Sequence, residues 1–485
     1  MSLRGRRRRR TRVLTVLVLG LLSAAGALGV ATVAGPASAS ASASAGGALG
    51  VATVAGAGPA STSASGSTWS PPAGFAPVSV STDGAAIAFD AGGDAAIAWL
   101  EPDGRAAARV RPAGRGFGPT ATLSGAKAPV YGAPLAAVDP RGDATVLWIS
   151  EIAGRNSYRT EVQAAAQPAG RSFGRPQTVF DQPGGATVSD AGLGVDDRGR
   201  ATAFWIDAAD DVVHVATRSA AGTAWSAPTT IANPADAAPS SPQYAVAANG
   251  DAVVAWGGAR QGVYVSVRRG QRRFGPARLI DPDAFGGGLV AIDPRGEAIL
   301  IWADCKTPEC GTDTFLDYAV RRPGAAGFSA PQMLTPDSVD AIAATFDTRG
   351  DVTVAWSPAY PSLAATGQAG GVVAAVRPNG GSFGPVEILA PDPGEFMTAC
   401  DDTRGNAYVA WRTESSTGTF SELSTTIPST GRPVAPGQTI SRNTATDQPF
   451  SGPSLACGKR GATAVWAANG PVGQHLDLTS TPGPA

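Results

Sequence analysis

The chain has 485 residues, 43% of them hydrophobic, and its 38 basic residues nearly balance its 39 acidic ones. The hydrophobic fraction can supply a buried core, and the near-neutral charge does not supply the basic surface that nucleic-acid binding needs. Glycine and proline recur every few residues, and no apolar run at helical spacing follows the N-terminal segment. The composition therefore favours an all-β protein.

Residues 1–39 have the pattern of a secretory signal peptide. A basic start is followed by an apolar stretch from Val13 to about Val33 and by an Ala-Ser-Ala cleavage site that ends at Ala39. The apolar stretch is also long enough to act as an uncleaved membrane anchor, which is the alternative. Either reading predicts a secreted or cell-surface protein, with a flexible Ala/Ser/Gly linker at residues 40–68.

A repeat with a period near 50 residues fills the rest of the chain. Segments such as VDPRGDATVLW and IDPRGEAILIW end on a tryptophan, and eight of the ten tryptophans occupy this position. They are Trp99, Trp148, Trp205, Trp256, Trp302, Trp356, Trp411 and Trp466. This period is typical of a four-stranded propeller blade.

The repeats are one motif short at the C-terminal end. A second motif, such as RPAGRGFGP, follows the earlier tryptophans but not the eighth, and a copy stands before the first repeat around Trp69. The sequence therefore predicts an eight-bladed β-propeller over residues 69–480, closed by its N-terminal strand, with a tail at 481–485. Seven blades is the alternative.

The second strand of each blade is apolar on both faces, so neighbouring blades must cover it on both sides. We expect the repeated tryptophan to wedge between adjacent sheets. The D-x-x-G sequence before this strand suits a type I turn. The aspartates predicted to cap these turns are Asp90, Asp139, Asp196, Asp293, Asp347 and Asp402.

Two further patterns belong to the repeat. Arg-Gly-Asp triplets at 141–143 and 349–351 fall in the D-x-x-G turn, which explains them without an adhesion receptor. An arginine near the end of the third strand recurs in most blades and is predicted to be a solvated rim charge. The members of this set are Arg111, Arg218, Arg268, Arg322 and Arg377.

The repeat also predicts where a function can lie. Strands alternate in direction, so the near-constant 1–2 and 3–4 turns lie on one face of the ring (the constant face), and the variable 2–3 and 4–1 loops lie on the other (the variable face). Variable loops on a repetitive scaffold commonly carry specificity. The aromatic candidates for ligand contact there are Tyr131, Tyr158, Tyr244, Phe285, Phe315 and Tyr360.

Four cysteines allow three disulfide pairings. Cys305 and Cys310 lie in one loop, and Cys400 and Cys457 occupy nearly matching positions in adjacent first strands. These positions favour the pairs Cys305–Cys310 and Cys400–Cys457.

Catalytic and metal-binding motifs are missing from the sequence. It has two histidines, His214 and His475, and no HExxH, CxxC, P-loop or GxSxG sequence. His214 lies in a strand pattern, where a structural role is expected. We predict no catalytic residue, no metal site and no cofactor.

The D-x-x-G…W repeat resembles the Asp-box repeats of sialidase-like propellers, over about 400 residues. In an Asp-box the tryptophan follows the glycine by three residues, whereas Trp148 follows Gly142 by six, and the Arg-Ile-Pro motif of sialidases does not occur. The resemblance implies a propeller, and it does not by itself transfer the activity.

The function predicted from these observations is an exported, monomeric, non-catalytic propeller that binds an extracellular glycan or protein through its variable face. One alternative is a sialidase-like or other glycan-processing enzyme, and another is a structural cell-envelope protein. Nucleic acid is not an expected partner, and membrane contact is expected only through an uncleaved N-terminal segment.

Overall fold

The computed structural model is a ring of eight antiparallel sheets. It describes residues 30–32, 69–79 and 84–482, apart from positions 127, 154–157, 183–187, 208–211, 221–223, 232–238, 259–261, 306–313, 359–370, 416–417, 430–433, 435–436, 443–446, 460 and 472. Within these residues no helix is long and apolar enough to cross a membrane.

Each of the first seven blades consists of four consecutive strands, numbered from the channel outward. Two strands precede them, β1 (Val30–Thr32) and β2 (Ala73–Pro77). Blades one to four contain β3 (Ala85–Phe89), β4 (Ala95–Leu100), β5 (Ala106–Arg111) and β6 (Ala121–Thr122); β7 (Val130–Val138), β8 (Ala144–Ala153), β9 (Tyr158–Gln167) and β10 (Gln177–Gln182); β11 (Val188–Val195), β12 (Ala201–Asp207), β13 (Val212–Arg218) and β14 (Thr229–Ile231); β15 (Ser240–Val246), β16 (Ala252–Gly257), β17 (Val263–Arg268) and β18 (Arg278–Asp281).

Blades five to eight contain β19 (Ala284–Ile292), β20 (Ala298–Cys305), β21 (Thr314–Arg321) and β22 (Gln332–Thr335); β23 (Val339–Phe346), β24 (Val352–Pro358), β25 (Val372–Arg377) and β26 (Glu387–Ala390); β27 (Glu395–Asp401), β28 (Ala407–Glu414), β29 (Phe420–Ile427) and β30 (Gln438–Thr439); β31 (Gln448–Pro449), β32 (Ser454–Gly458), β33 (Gly461–Gly470) and β34 (Gly473–Ser480). The eight-bladed prediction is confirmed.

The ring closes through β2, as the missing C-terminal motif predicts. β2 pairs antiparallel with β34, with Ala73 opposite Leu478, and so supplies the outer strand of the eighth blade. The inner strand of that blade is divided into β31 and β32, which both pair with β33. The short strand β1 pairs with β23, the inner strand of the sixth blade.

The inner strands are longer than their apolar motif indicates. β7 covers nine residues, because the chain before Leu135 still pairs with β8 across a β-bulge. Left-handed residues occur at or near this irregularity in several blades, including Asp190 (φ 50°), Ser241 (φ 46°) and Phe396 (φ 49°). The bulges place irregular backbone at the variable-face end of the inner strands.

The eight repeat tryptophans form the core between blades. None is more than 2% exposed. Trp205, for example, belongs to one buried cluster with Leu147 and Val162 of the preceding blade. The predicted wedge between adjacent sheets is confirmed, and it explains why a single aromatic position organises the whole repeat.

The D-x-x-G turns are held by their aspartates as predicted. Asp139 Oδ1 accepts hydrogen bonds from the backbone N–H groups of Arg141 (2.9 Å) and Asp143 (3.0 Å), and Gly142 has a φ of 79°. The Arg141 guanidinium pairs with Asp139 at 2.6 Å, and Asp143 Oδ1 accepts the N–H of Ala169 in the 3–4 turn. The Arg-Gly-Asp side chains are thus used within the constant face.

The prediction of solvated rim arginines is wrong for several blades. Arg268 is 2% exposed, and in the fifth blade the equivalent residue is the fully buried Arg321 rather than the exposed Arg322. Arg321 Nη2 donates to Asp251 of the preceding blade at 3.1 Å, and Arg268 Nη1 donates to Thr202 at 3.0 Å. Because these side chains turn into the blade interface, they tie each blade to the one before it. The buried members are Arg268, Arg321 and Arg377.

Cys400 and Cys457 form a disulfide with a Cα–Cα distance of 5.6 Å. It joins the inner strands β27 and β32, and this matches the predicted pairing of blades seven and eight. Cys310 lies outside the described residues, so the Cys305–Cys310 pair stays a prediction.

The inter-blade role of the tryptophans can be tested at Trp148. We expect Trp148→Ala to lower the free energy of unfolding by about 3–5 kcal/mol, because a buried ring is replaced by a cavity. Urea unfolding followed by circular dichroism measures this loss. Trp148→Phe is the matched control and should lose clearly less, and a loss below about 1 kcal/mol for the alanine variant would contradict the role.

Candidate functional site

One repeat position changes its chemistry from blade to blade. It is the residue of the third strand that lies opposite the repeat tryptophan in the strand pairing. Both side chains point into the space between their own blade and the preceding one, which we call a crevice. In blade order the residues are Ala107, Gln163, His214, Tyr264, Asp317, Val373, Leu423 and Asp477. Second strands run toward the variable face, so residues just after the tryptophan lie on that side. The scaffold is constant and the crevice chemistry is not.

Some crevices are filled by their own side chains. His214 stacks on Phe180 (5.5 Å between ring centroids) and on Trp205 (5.7 Å), which agrees with its predicted structural role. Trp148 Nε1 donates to Gln163 Oε1 at 3.0 Å. These crevices are filled by side chains of the two blades, although Trp205 Nε1 has no hydrogen-bond partner among the described residues.

The crevice between blades four and five contains three carboxyl groups. Oxygens of Asp281, Asp304 and Asp317 lie within 4.8 Å of one another, and Trp302 Nε1 donates to Asp281 Oδ2 at 3.3 Å. Burial, together with the negative charges of Asp304 and Asp281, raises the pKa of Asp317 to about 6. Carboxylate oxygens are the ligands that hard cations prefer. Without a cation, their negative charges repel one another. We call this group the three-aspartate crevice.

A second polar crevice lies between blades seven and eight, where the ring closes. Arg442, just after β30, pairs with Asp447 at 3.0 Å and with Asp477 at 3.3 Å. His475 Nε2 lies 3.5 Å from Asp477 Oδ1, and Asp477 is 1% exposed. Burial raises the pKa of Asp477, while the Arg442 and His475 charges oppose that rise. We call this group, with Arg412 and Glu422 of blade seven, the seam crevice.

Glu422 departs from the repeat. In the other seven blades the equivalent residue is apolar and shares a buried cluster with the tryptophan of the next blade. Those residues are Ala106, Val162, Val213, Val263, Leu316, Val372 and Leu476. Glu422 is 0% exposed, and burial raises its pKa well above the usual range, although the Arg412 charge acts to lower it. A carboxyl group has replaced an apolar contact facing Trp466.

Several polar atoms of the seam crevice lack a hydrogen-bond partner among the described residues. They are Glu422 Oε1 and Oε2, Arg412 Nε and Trp466 Nε1, whereas His475 Nε2 and Asp477 Oδ1 lie within ion-pair distance of each other. A buried polar group without a partner costs about 1–3 kcal/mol. A crevice with several of them is therefore one that a polar ligand would stabilise.

The mouth of the seam crevice combines charge with aromatic surface. The Arg412 guanidinium lies over the rings of Phe396 (4.3 Å) and Phe420 (4.6 Å), and it donates to Glu395 Oε2 at 3.1 Å. Phe396 has a left-handed backbone, and a Cβ at Gly452 would lie 2.2 Å from the Phe396 Cβ. Glycine at position 452 thus allows Phe396 to approach blade eight.

The aromatic residues that the sequence nominated lie on different blades. Tyr131 is 39% exposed on β7. Tyr244 stacks on Phe204 at 4.7 Å and donates its hydroxyl to the Asp190 carbonyl, and Phe315 is half-buried on β21. Tyr360 and the side chains of Tyr158 and Phe285 lie outside the described part of the chain. The described members do not share a pocket, and their ligand contacts stay a prediction.

Sequence reasoning missed the seam crevice. Asp477 and Glu422 are visible only when the third strands are aligned through the pairing partners of the tryptophans. The signal is then clear, since Glu422 alone is charged at its repeat position. Arg442 and Asp447 lie in an irregular connection, and no repeat pattern marks them.

No protein-family model matches the chain, and no curated protein matches it. Among solved structures it is similar to the BP39L lectin from Burkholderia pseudomallei, with 16% identity, 73% of this chain and 99% of that chain covered, and a TM-score of 0.50. A protein of unknown function from Dyadobacter fermentans is 12% identical, and the match covers 87% of this chain and 100% of that chain with a TM-score of 0.43. An ulvan lyase from a new polysaccharide lyase family is 9% identical, and the match covers 60% of this chain and 79% of that chain with a TM-score of 0.41. The likeness to the BP39L lectin agrees with the propeller fold, and it adds nothing specific to sialidases.

The three-aspartate crevice predicts a pH-dependent stability. Because the folded-state pKa of Asp317, about 6, lies above its ordinary value of 3.8, the folded state binds this proton more tightly, and stability falls as pH rises through that window. Asp317→Asn should therefore stabilise the protein by about 1–2 kcal/mol at pH 7.5 and by much less at pH 4. Urea unfolding at both pH values, with a chelator present, measures the difference. The exposed Asp283→Asn is the control, and an equal effect of Asp317→Asn at both pH values would contradict the cause.

Proposed function

We propose that the protein binds a glycan in the seam crevice, at the variable face of the ring. The observation that carries this proposal is Glu422, a buried carboxyl group at an otherwise apolar repeat position. It lies in the seam crevice, where both of its oxygens, Arg412 Nε and Trp466 Nε1 have no hydrogen-bond partner among the described residues.

A sugar suits this chemistry better than an apolar ligand or a simple ion. Each hydroxyl group both donates and accepts, so one ring can satisfy the carboxylate oxygens of Glu422 and the nitrogen donors of Arg412 and Trp466. The apolar face of a sugar can pack on Phe396 or Phe420 at the mouth.

The fold likeness to the BP39L lectin supports a glycan ligand, since that protein is named as a lectin. A protein partner would need a broader contact surface than this crevice supplies. The glycan-processing alternative lacks a specific observation in its favour. The proposal includes export, as the N-terminal pattern predicts.

Binding of the purified protein to a broad glycan array is the first test. The proposal expects a saturable signal that free sugar competes away. No signal on any glycan would overturn it, and crosslinking to surface proteins would then identify a protein partner. Tyr131→Ala tests the separate prediction that this exposed ring contacts the ligand.

The second test uses Glu422→Val, which installs the residue that four other blades carry. Binding should weaken by about tenfold or more, while the free energy of unfolding should rise by about 1–3 kcal/mol because a buried unpaired carboxyl group is removed. Asp317→Asn, in the other polar crevice, is the matched control and should bind as the wild type does. Unchanged binding by Glu422→Val would exclude the seam crevice as the site.

A further inference from the structure

A second polar feature lies on the constant face, away from the seam crevice. The 3–4 turn of blade four and the start of β18 border a groove of about 230 Å³ that also touches the 3–4 turn of blade five. Four arginines line it, Arg269, Arg272, Arg273 and Arg278. Val267 and Ile280 contribute apolar walls. We call it the arginine groove.

The four guanidinium groups form no ion pair with a carboxylate in the described part of the chain. In the D-x-x-G turns, by contrast, Arg141, Arg295 and Arg349 each pair with their own turn aspartate. Arg272, Arg273 and Arg278 are exposed. In a chain with net charge −1, four uncompensated positive charges around one groove produce a local positive potential that attracts an anion.

The sequence concentrates this charge in blade four, although blades one and two also have arginine, Arg115 and Arg171, at the position of Arg272. In the turn RRGQRRFGP, Arg269 stands where three other blades have proline, and Arg273 stands where they have glycine or serine. Arg278 replaces alanine, glutamine or glutamate. Gly327 of blade five leaves room for Arg278, since a Cβ there would lie 3.3 Å from its Nη1. The turn geometry does not require Arg269, Arg273 or Arg278, because blades one, two and six form this turn without arginine at those positions.

We propose that the arginine groove binds an acidic polysaccharide that carries carboxylate or sulfate groups. Guanidinium groups bind such anions through two parallel hydrogen bonds. The apolar walls can pack against the C–H faces of the sugar rings between the charged groups. A chain that alternates charge with ring surface therefore matches the groove in both respects.

An anionic lipid surface fits less well. Leu279, beside the groove, is 48% exposed, and the equivalent rim residues Met333 and Ile388 are exposed as well. However, Glu387 is adjacent to Ile388, and no comparable arginine set accompanies Met333 or Ile388. The positive charge is thus local to one groove and does not extend along the rim as membrane docking would require.

The test measures binding of the full chain to a fluorescent heparin oligosaccharide and to oligogalacturonate, by anisotropy at low and at physiological salt. Wild type should bind at least one of them, and the triple variant Arg272→Ala/Arg273→Ala/Arg278→Ala should bind about tenfold or more weakly. Its affinity should also depend less on salt. Lysine at the same three positions should recover part of the affinity, because it restores charge without the two-pronged contact.

Arg171→Ala is the matched control. Arg171 occupies the position of Arg272 in the turn of blade two, and its removal should leave binding unchanged. Thermal unfolding should be the same for all variants, since the substituted side chains are exposed. Failure of the wild type to bind either acidic saccharide at low salt would overturn the proposal, as would unchanged binding by the triple variant.

Two comparisons decide the ligand class. Arginine-dependent binding of phosphatidylglycerol vesicles or of a single-stranded oligonucleotide that is as tight as saccharide binding would overturn the assignment to a polysaccharide. The seam crevice is independent of this groove, so Glu422→Val should retain acidic-saccharide binding. The triple arginine variant should retain the binding that depends on Glu422, and the two proposals can therefore fail separately.

Discussion

The structure depends on a strand that is apolar on both faces. Such a strand cannot be stable at a surface, so every second strand needs a sheet on each side, and a closed ring is the arrangement that gives this to all blades. The tryptophan at its end supplies the area that makes each inter-blade contact strong. The buried arginines add polar links from one blade to the next, as Arg321 does to Asp251. Because the same contacts recur between the blades, a residue that breaks the pattern can be recognised.

The two polar crevices are such departures. At the seam, Glu422 takes the place of an apolar residue, and Asp477 takes the place across from the tryptophan. Glu422 in particular gives up the buried apolar contact that the same position provides in the other seven blades. Stability lost at a functional site is a common cost of binding. The crevice is next to the disulfide-linked inner strands of blades seven and eight, which stabilise the ring beside the site.

Much of the fold could be predicted from the sequence, because the repeat carries it. Eight tryptophans, the D-x-x-G turns and one displaced motif were sufficient for the blade number, the closure and the Cys400–Cys457 pair. The bulges of the inner strands were not predictable, since they extend beyond the apolar run. The rim arginines were misjudged because spacing does not show whether a side chain turns outward or into an interface, and in blade five the register differs by one residue. The seam crevice was missed because Arg442 and Asp447 follow no repeat, and the arginine groove because the turn that carries it is one copy of the motif that follows the earlier tryptophans.

The closure by β2 has a consequence for how the protein matures. The Arg442 guanidinium donates to the Pro72 carbonyl at 3.2 Å, and β2 pairs with β34, so the seam crevice is assembled from both ends of the ring. No emerging portion of the chain that lacks β34 can contain it. A chain made from the N-terminus would hold Ala73–Pro77 without a partner until the last blade is complete. Ligand binding by the seam crevice would then require the complete ring. Fragments produced by early termination or by cleavage would not bind the ligand.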